Sequence, residues 1–381
     1  MDRFRRQDNA VRSARPSSAP ERELVEPTSE RRLHVAVLAP PWIPIPPPGY
    51  GGIEFVVALL CDALVELGHD VELFCTPGSQ SRATVHPVLD RPHPDSIERA
   101  LFECDHTARG FRAIDAAATA GHPFDVVHDH SGYAALAFAD RLETPLVHTV
   151  HGPFDGDTNA YYAVNGHNGA IVCISRAQAS MAPDAGIVDG VVHNPIDIDN
   201  WPFAETKEDY LLWVGRFVAE KGPQRAIRVA KATGRRLILA GVVQPRQERF
   251  FAGEIEPHLD GEQITYVGEV GGARKQQLFA DAYAFLMPIR WPEPFGMVMV
   301  EAMAAGTPVL AFPEGAAPEV VEDGLSGFLV ADEDEMAARV PDAGRLDPLQ
   351  VRRSAERFAP DRIAEGYERV YRQLARRTAV A

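Results

Sequence analysis

The sequence predicts an α/β protein made of two doubly wound parallel-sheet domains that face each other across a cleft. Three observations predict it. Short apolar runs alternate with helical patterns along nearly the whole chain. The alternation comes in two series, divided by a polar, Pro-containing stretch without periodicity. The 381 residues, 45% of them hydrophobic, are enough for two cores of ordinary size.

In chain order, residues 1–31 mix Arg, Ser, Pro and Glu without a core-forming run, so they read as a disordered tail, and they lack the apolar segment of a signal peptide. The first domain is placed at 32–196. It starts with the strand "LHVAVLAP", a Pro/Gly-rich loop, the helix "EFVVALLCDALVELG" and the strand "HDVELFCT", and continues through "FDVVHDHS", "PLVHTVHG" and "AIVCIS". The aperiodic stretch "HNPIDIDNWPFAETKED" holds the linker, placed at 197–209. A second domain at 210–360 runs through "DYLLWVGRF", "RRLILAG", "ITYVGEV", "AFLMPIR", "PVLAF" and "GFLV", and a C-terminal helix fills 361–381. Sheets of this kind bind ligands outside the carboxyl ends of their strands, so the chemistry is expected in strand-end loops.

A formal net charge of -16 argues against general affinity for nucleic acid or acidic membranes, which makes any cation in a pocket more informative. Cys61, Cys75, Cys104 and Cys173 are scattered without a CxxC and read as buried thiols, with no disulfide and no zinc site. No run has the roughly 18 consecutive apolar residues of a membrane span, so the expectation is a cytoplasmic protein. Peripheral membrane contact and oligomeric state stay open.

The stretch "EPFGMVMVEAMAAGTPVLAF" is the most informative. Met297, Val298, Val300, Ala302, Met303 and Ala304 leave no polar face, while Gly306 and Pro308 stop the helix, so Glu301 sits in an apolar setting and needs a partner or a ligand. Phe295, Gly296, Met297 and Val298 would offer free N–H groups to an anion. Glu301 lies about 8 Å along the axis at about 1.5 Å per residue, the separation between a nucleotide's diphosphate and its ribose hydroxyls. Glu293 would face the sugar side. Arg216 and Lys221 follow another strand and suit a departing diphosphate. The plainer alternatives are a buried ion pair for Glu301 and solvated cations for Arg216 and Lys221.

In the first domain, Gly51 and Gly52 could admit a phosphate or sugar against the backbone, or form a plain tight turn. A dinucleotide fingerprint is absent, because Glu54 stands where a third glycine should be and the second strand ends in Phe74, Cys75 and Thr76. His151 ends one strand, and His128, Asp129 and His130 end another; such side chains can bind sugar hydroxyls. Strand alternation would turn His148 and His151 to opposite faces, against a metal site. Trp42 and Tyr50 could stack on a flat acceptor or pack between loops.

Taken in order and spacing, these motifs make the chain from Leu33 onward resemble the retaining, metal-independent glycosyltransferases of family 4, which have the GT-B fold. The residues carrying the likeness are Gly51-Gly52, "HGP" at His151, "HNPIDIDNW", "GRFVAEKG" at Arg216 and Lys221, the glutamate pair, and "GAAPEVVEDGLSGFLV" with Glu319, Gly324 and Gly327. Pro195 replaces the usual glycine after Asn194, and Ala316 stands where many members have a second glycine. The resemblance implies that Glu293 binds the donor sugar and Glu301 the ribose. Arg216 and Lys221 then hold the diphosphate together with the amides of Phe295 to Val298, and His151 lies near the reacting carbon. Gly51, Gly52 and the backbone around Val270 complete the donor side; Trp42, Tyr50, Asp129 and His130 fall on the acceptor side. The implied reaction moves a hexose-type sugar, from a UDP-sugar ahead of a GDP-sugar, to an acceptor hydroxyl without a cofactor or metal. The competing readings are a relative acting on the nucleotide sugar itself, as an epimerase or hydrolase, and a non-catalytic nucleotide-sugar-binding protein.

Overall fold

Alternating apolar strands with helical crossovers can close only as parallel sheets, and the computed structural model, which describes residues 31–49, 51–97 and 99–378, contains two. The first comprises β1 (His34–Leu38), β2 (Asp70–Cys75), β3 (Thr84–Pro87), β4 (Val126–Asp129), β5 (Leu146–Val150), β6 (Ala170–Cys173) and β7 (Val188–Val191), in the order β3-β2-β1-β4-β5-β6-β7. The second comprises β8 (Tyr210–Val214), β9 (Arg236–Ala240), β10 (Ile264–Tyr266), β11 (Ala284–Met287), β12 (Val309–Ala311) and β13 (Gly327–Leu329), in the order β10-β9-β8-β11-β12-β13. The expected two-domain α/β architecture is what the chain adopts. All strands run parallel, and the order in which they are added reverses between β1 and β4 in one domain and between β8 and β11 in the other, so ligand crevices belong outside those four carboxyl ends.

The edge strands β3 and β7 were not expected from the sequence. Both are short and only partly buried, and "VDGV" carries Asp189 and Gly190, so neither has the apolar run that marks an interior strand.

Helices cover both faces of each sheet. The first domain contributes α1 (Gly52–Glu66), α2 (Ala100–Thr119), α3 (Ala134–Ala137), α4 (Gly156–Asn165) and α5 (Arg176–Ala179). The second contributes α6 (Pro223–Thr233), α7 (Glu248–Glu254), α8 (Gly272–Asp281), α9 (Met297–Ala304), α10 (Ala317–Val320), α11 (Glu333–Ala343) and α12 (Pro348–Ser354), and α13 (Pro360–Thr378) ends the described chain. Helix α13 returns to the first sheet. Its buried Ile363, Ala364, Tyr367 and Tyr371 share a core with Val57, Leu60, Cys61 and Leu64 of α1 and with Val172 of β6. A second seam runs across the chain's two halves, where Ile174 and Ile196 pack with Phe295, Met299 and Phe358.

The expectation of buried thiols holds for Cys61, Cys75 and Cys173 and fails for Cys104, which is exposed on α2 between Glu103 and Asp105. Among the described residues, no helix is long and apolar enough to cross a membrane.

Candidate active site

At the second switch point the loops after β8 and β11 are fastened together. The Arg290 N–H donates to the Glu220 carbonyl at 2.8 Å, and the Trp213 indole donates to the Lys221 carbonyl at 3.1 Å. Gly222 has φ 77°, and a Cβ there would run into the Pro288 carbonyl, so only glycine lets the turn after Lys221 approach the β11 loop this closely. The result places the Lys221 ammonium on Glu293, donating to Oε2, and 4.5 Å from the centre of the Trp291 ring. The Trp291 indole donates to the same oxygen at 2.9 Å. Arg216, from the end of β8, is exposed, and its guanidinium has no hydrogen-bond or ion-pair partner among the described residues.

Glu293 is also fixed through its backbone. The Ala316 N–H donates to its carbonyl at 2.9 Å, and at Gly315, with φ 55°, an added Cβ would overlap the Glu293 backbone. Thus Ala316, at the position where a second glycine is common, contributes through its N–H and not through the absence of a side chain. Gly296, at φ 82°, turns the chain into α9, and Met297 and Val298 supply first-turn N–H groups that have no acceptor within the helix. Phe295 is buried beneath this turn, stacked loosely on His193 at 5.6 Å between ring centres.

Glu301, on the same helix, accepts from the Lys275 ammonium of α8 at 2.7 Å through Oε1, while its Oε2 is buried without a hydrogen-bond partner. The plain ion-pair alternative is therefore half realised: the partner is Lys275, and one oxygen is left without a partner among the described residues. Val270, half-buried after β10, follows Gly268, whose carbonyl accepts from the Gly241 N–H at 2.9 Å.

The first switch point is lined by histidines. Alternation along β4 and β5 sends His128, His130, Thr149 and His151 toward α13, and Asp129 and His148 toward α4. On the α13 side, His151 Nε2 meets His130 Nδ1 at 2.8 Å, His130 Nε2 meets His128 Nδ1 at 3.3 Å, and His128 Nε2 meets Thr149 Oγ1 at 2.8 Å. The Tyr371 hydroxyl lies 2.6 Å from His128 Nδ1, and Tyr367 lies 3.1 Å from Thr149. Burial, reinforced by neighbouring histidines, pushes His128, His130 and His151 well below the ordinary imidazole range, so the chain is neutral. On the α4 side, the fully buried Asp129 binds His148 Nδ1 at 2.6 Å and the Ser131 hydroxyl at 2.6 Å, and His148 Nε2 meets the Tyr162 hydroxyl at 2.9 Å. Among the described residues, no three His, Cys, Asp or Glu side chains are placed to hold a metal ion.

The loop after β1 packs Gly51 where a Cβ would collide with Ile43 and Pro47, whereas Gly52 opens α1 onto free space. Trp42 is half-buried, its carbonyl accepting from the His93 N–H at 2.9 Å. Tyr50 lies outside the described residues.

Hydrogen bonds at the two sides of α5 lie between the two switch points. Gln178 of α5 donates to the carbonyls of Val150 and Gly152, on either side of His151, at 2.9 and 2.6 Å. At the start of that helix, the N–H groups of Arg176 and Ala177 donate to Glu319 of α10 at 2.9 and 2.7 Å, and His193 meets the same carboxylate at 3.2 Å. Helix α10 follows the Gly315-Ala316 turn that holds Glu293. The sequence reading missed Lys275, Trp291, Gln178 and the two tyrosines of α13. Lys275 and Gln178 lie in polar stretches without a motif, and α13 gives no sign in sequence of the sheet it covers.

Two doubly wound sheets, with a cationic and carboxylate-bearing switch point on one and a histidine-lined switch point on the other, define a glycosyltransferase of the GT-B fold. The family model for Glycosyltransferase Family 4 matches residues 50–200, and that for group 1 glycosyl transferases matches residues 197–354. AviGT4, a glycosyltransferase involved in avilamycin A biosynthesis, is 30% identical over 90% of this chain and 98% of its own, with a TM-score of 0.68. The D-inositol 3-phosphate glycosyltransferase of Mycolicibacterium smegmatis is 27% identical, covering 87% of this chain and 88% of that protein. Anabaena HepE, solved in complex with UDP, shares the fold at a TM-score of 0.67 and 18% identity, over 90% of this chain and 100% of its own. The chain belongs to glycosyltransferase family 4.

Proposed function

We propose that the protein is a retaining hexosyltransferase that moves a sugar from a nucleoside diphosphate sugar, UDP-linked ahead of GDP-linked, to a hydroxyl of an acceptor. The observation that carries this reading is the placing of two lysine-paired carboxylates along one segment, Glu293 with Lys221 before α9 and Glu301 with Lys275 within it, with exposed Arg216 at the end of the neighbouring strand. The UDP and UDP-glucose complexes of HepE support the choice of base and sugar class.

In this reading the diphosphate lies against the amides of Phe295 to Val298, with Arg216 and Lys221 countering its charge, so no metal is required. Lys221 then shares its donors between Glu293 and phosphate, and Glu293 orients the hydroxyls of the donor sugar. The bond from the anomeric carbon to the phosphate oxygen breaks as the acceptor oxygen bonds on the same face. The leaving phosphate oxygen takes the acceptor's proton. His151, kept neutral by burial, adds no positive charge beside the oxocarbenium-like centre. Gly51, Gly52 and Val270 line the donor. The acceptor side falls to Trp42, Tyr50 and His130, with Asp129 acting through Ser131 and His148.

A thermal-shift series with UDP, GDP, ADP and NAD tests this, since ligand at 100 times its dissociation constant adds about 2.7 kcal/mol. One nucleoside diphosphate should stabilise the wild type, and Glu301→Ala should abolish that shift. Stabilisation by none of them in folded protein would overturn the reading. Donor consumed in the presence of acceptors, with no glycosylated product, would point instead to an enzyme acting on the nucleotide sugar itself.

A further inference from the structure

The lysine on Glu301 has a geometry that simple neutralisation does not explain. Glu301 projects from α9 and Lys275 from α8, and their side chains are 13% and 22% exposed, closed enough to need partners and open enough to meet a solute. The ammonium binds Oε1 at 2.7 Å, and Oε2 is left buried with nothing to accept from. A buried carboxylate oxygen without a donor is costly, so a hydroxyl of a bound molecule is the natural group to fill it. An ammonium carries three N–H donors and only one is taken by Oε1. The pair thus presents one vacant acceptor beside unused donors.

We propose that Lys275 is a specificity-determining residue for the ribose of the nucleotide: with Glu301 it forms a mixed donor–acceptor pair that reads a vicinal diol, one hydroxyl donating to Oε2 and its neighbour accepting from Nζ. The proposal rests on the nucleotide-sugar reading and adds to it a residue and a requirement, that both ribose hydroxyls be present. A purely structural ion pair would favour every nucleotide equally or none.

The test is calorimetric binding of UDP, 2′-deoxy-UDP and 3′-deoxy-UDP to the wild type and to Lys275→Met, with Lys275→Gln as a second variant that keeps N–H donors should the methionine variant fold poorly. GDP and its deoxy analogues replace this series if the wild type prefers guanine. The wild type should bind the ribonucleotide about 10-fold or more tightly than either deoxy form, as expected for a hydrogen bond to a charged group. Lys275→Met should weaken the ribonucleotide, and the deoxy form that keeps the Nζ-facing hydroxyl, by about the same factor and leave the deoxy form that lacks it within about twofold, so that discrimination against that one form collapses while discrimination through Glu301 persists. Equal loss for all three nucleotides, or discrimination unchanged, overturns the assignment of Lys275 while leaving the nucleotide site standing. Absence of binding by UDP and GDP to folded wild type overturns the nucleotide reading and Lys275's role with it.

Discussion

Lowering the pH from 7.5 to 5.5 should destabilise the first domain well before its carboxylates titrate. His106, His128 and His130 are all buried. Burial lowers His106 from 6.5 to about 4, against the opposing pull of Asp129, a backbone contact at Ala39 and Asp105. His128 and His130 are lowered by burial and by the other histidines of their chain. In the unfolded chain each would gain a proton below its ordinary value of about 6.5, whereas the folded protein refuses it, so stability rises with pH and is lost as pH falls from 6.5 toward the folded values. Each group costs on the order of 1 kcal/mol across the two units, and together with His151, held neutral in the same way, they cost several kcal/mol, a large share of a typical stability of about 5–15 kcal/mol. Urea unfolding followed by circular dichroism at pH 7.5 and 5.5, at fixed ionic strength, reads this difference. The same pair of measurements on His106→Leu should recover on the order of 1 kcal/mol of it, whatever the substitution does to stability at pH 7.5. Equal stability at both pH values, or a pH dependence unchanged in His106→Leu, would refute the argument that these imidazoles are held neutral.

Lys221→Met and Arg216→Ala should each slow donor turnover on the order of 100-fold or more, and unchanged rates in both would remove the leaving-group role. Glu319→Ala strips the acceptor from two N–H groups and from His193, and should cost about 2–4 kcal/mol in thermal unfolding, with Glu319→Gln between it and the wild type. Although burial alone would raise Glu319, His193 and the two N–H groups hold it below its ordinary 4.5, so this contribution is complete above pH 4.5 and fades as pH falls through the lowered value. Gly315→Ala must push on the backbone of Glu293 and adopt a left-handed φ, so turnover should fall sharply with a stability loss of about 1–3 kcal/mol; full activity would show that the turn yields easily.

What the sequence made legible follows from how local the underlying physics is. The helix from Met297 to Ala304 was readable because its apolar residues leave no polar face and its stop residues are adjacent, and Glu301 stood out because a charge in that setting needs a reason. The strand before Arg216 and the one before Glu293 were readable from apolar runs, and their carboxyl ends then located the loops. The partners of the two glutamates were less visible. Lys221 was singled out for phosphate, but its contact with Glu293 depends on Gly222 passing the Pro288 carbonyl, a long-range approach that leaves no periodic trace. Lys275 lies one helix away from Glu301 in a stretch whose pattern is only that of a solvated face. The support of His128 by Tyr371 links residues 243 positions apart, and nothing local predicts that α13 returns to the first sheet.

The pairing of both glutamates with lysines bears on how an acidic protein could hold an acidic donor. The chain carries a formal charge of -16, yet at the second switch point Lys221 and Lys275 already neutralise Glu293 and Glu301, and Arg216 remains as an unmatched cation. Arg216 thus adds positive charge beyond the two lysine–glutamate pairs, augmented by the N-terminal end of α9. On the proposed reading, a diphosphate would meet carboxylates already neutralised by lysines, with oxygens left to accept from hydroxyls. At the histidine-lined point, His128, His130 and His151 add no positive charge, because burial holds their imidazoles neutral. On that reading, positive charge would gather where the diphosphate leaves and be withheld from where the sugar cation forms, with hydrogen bonds from α5 to Glu319 and to the backbone around His151 lying between the two points.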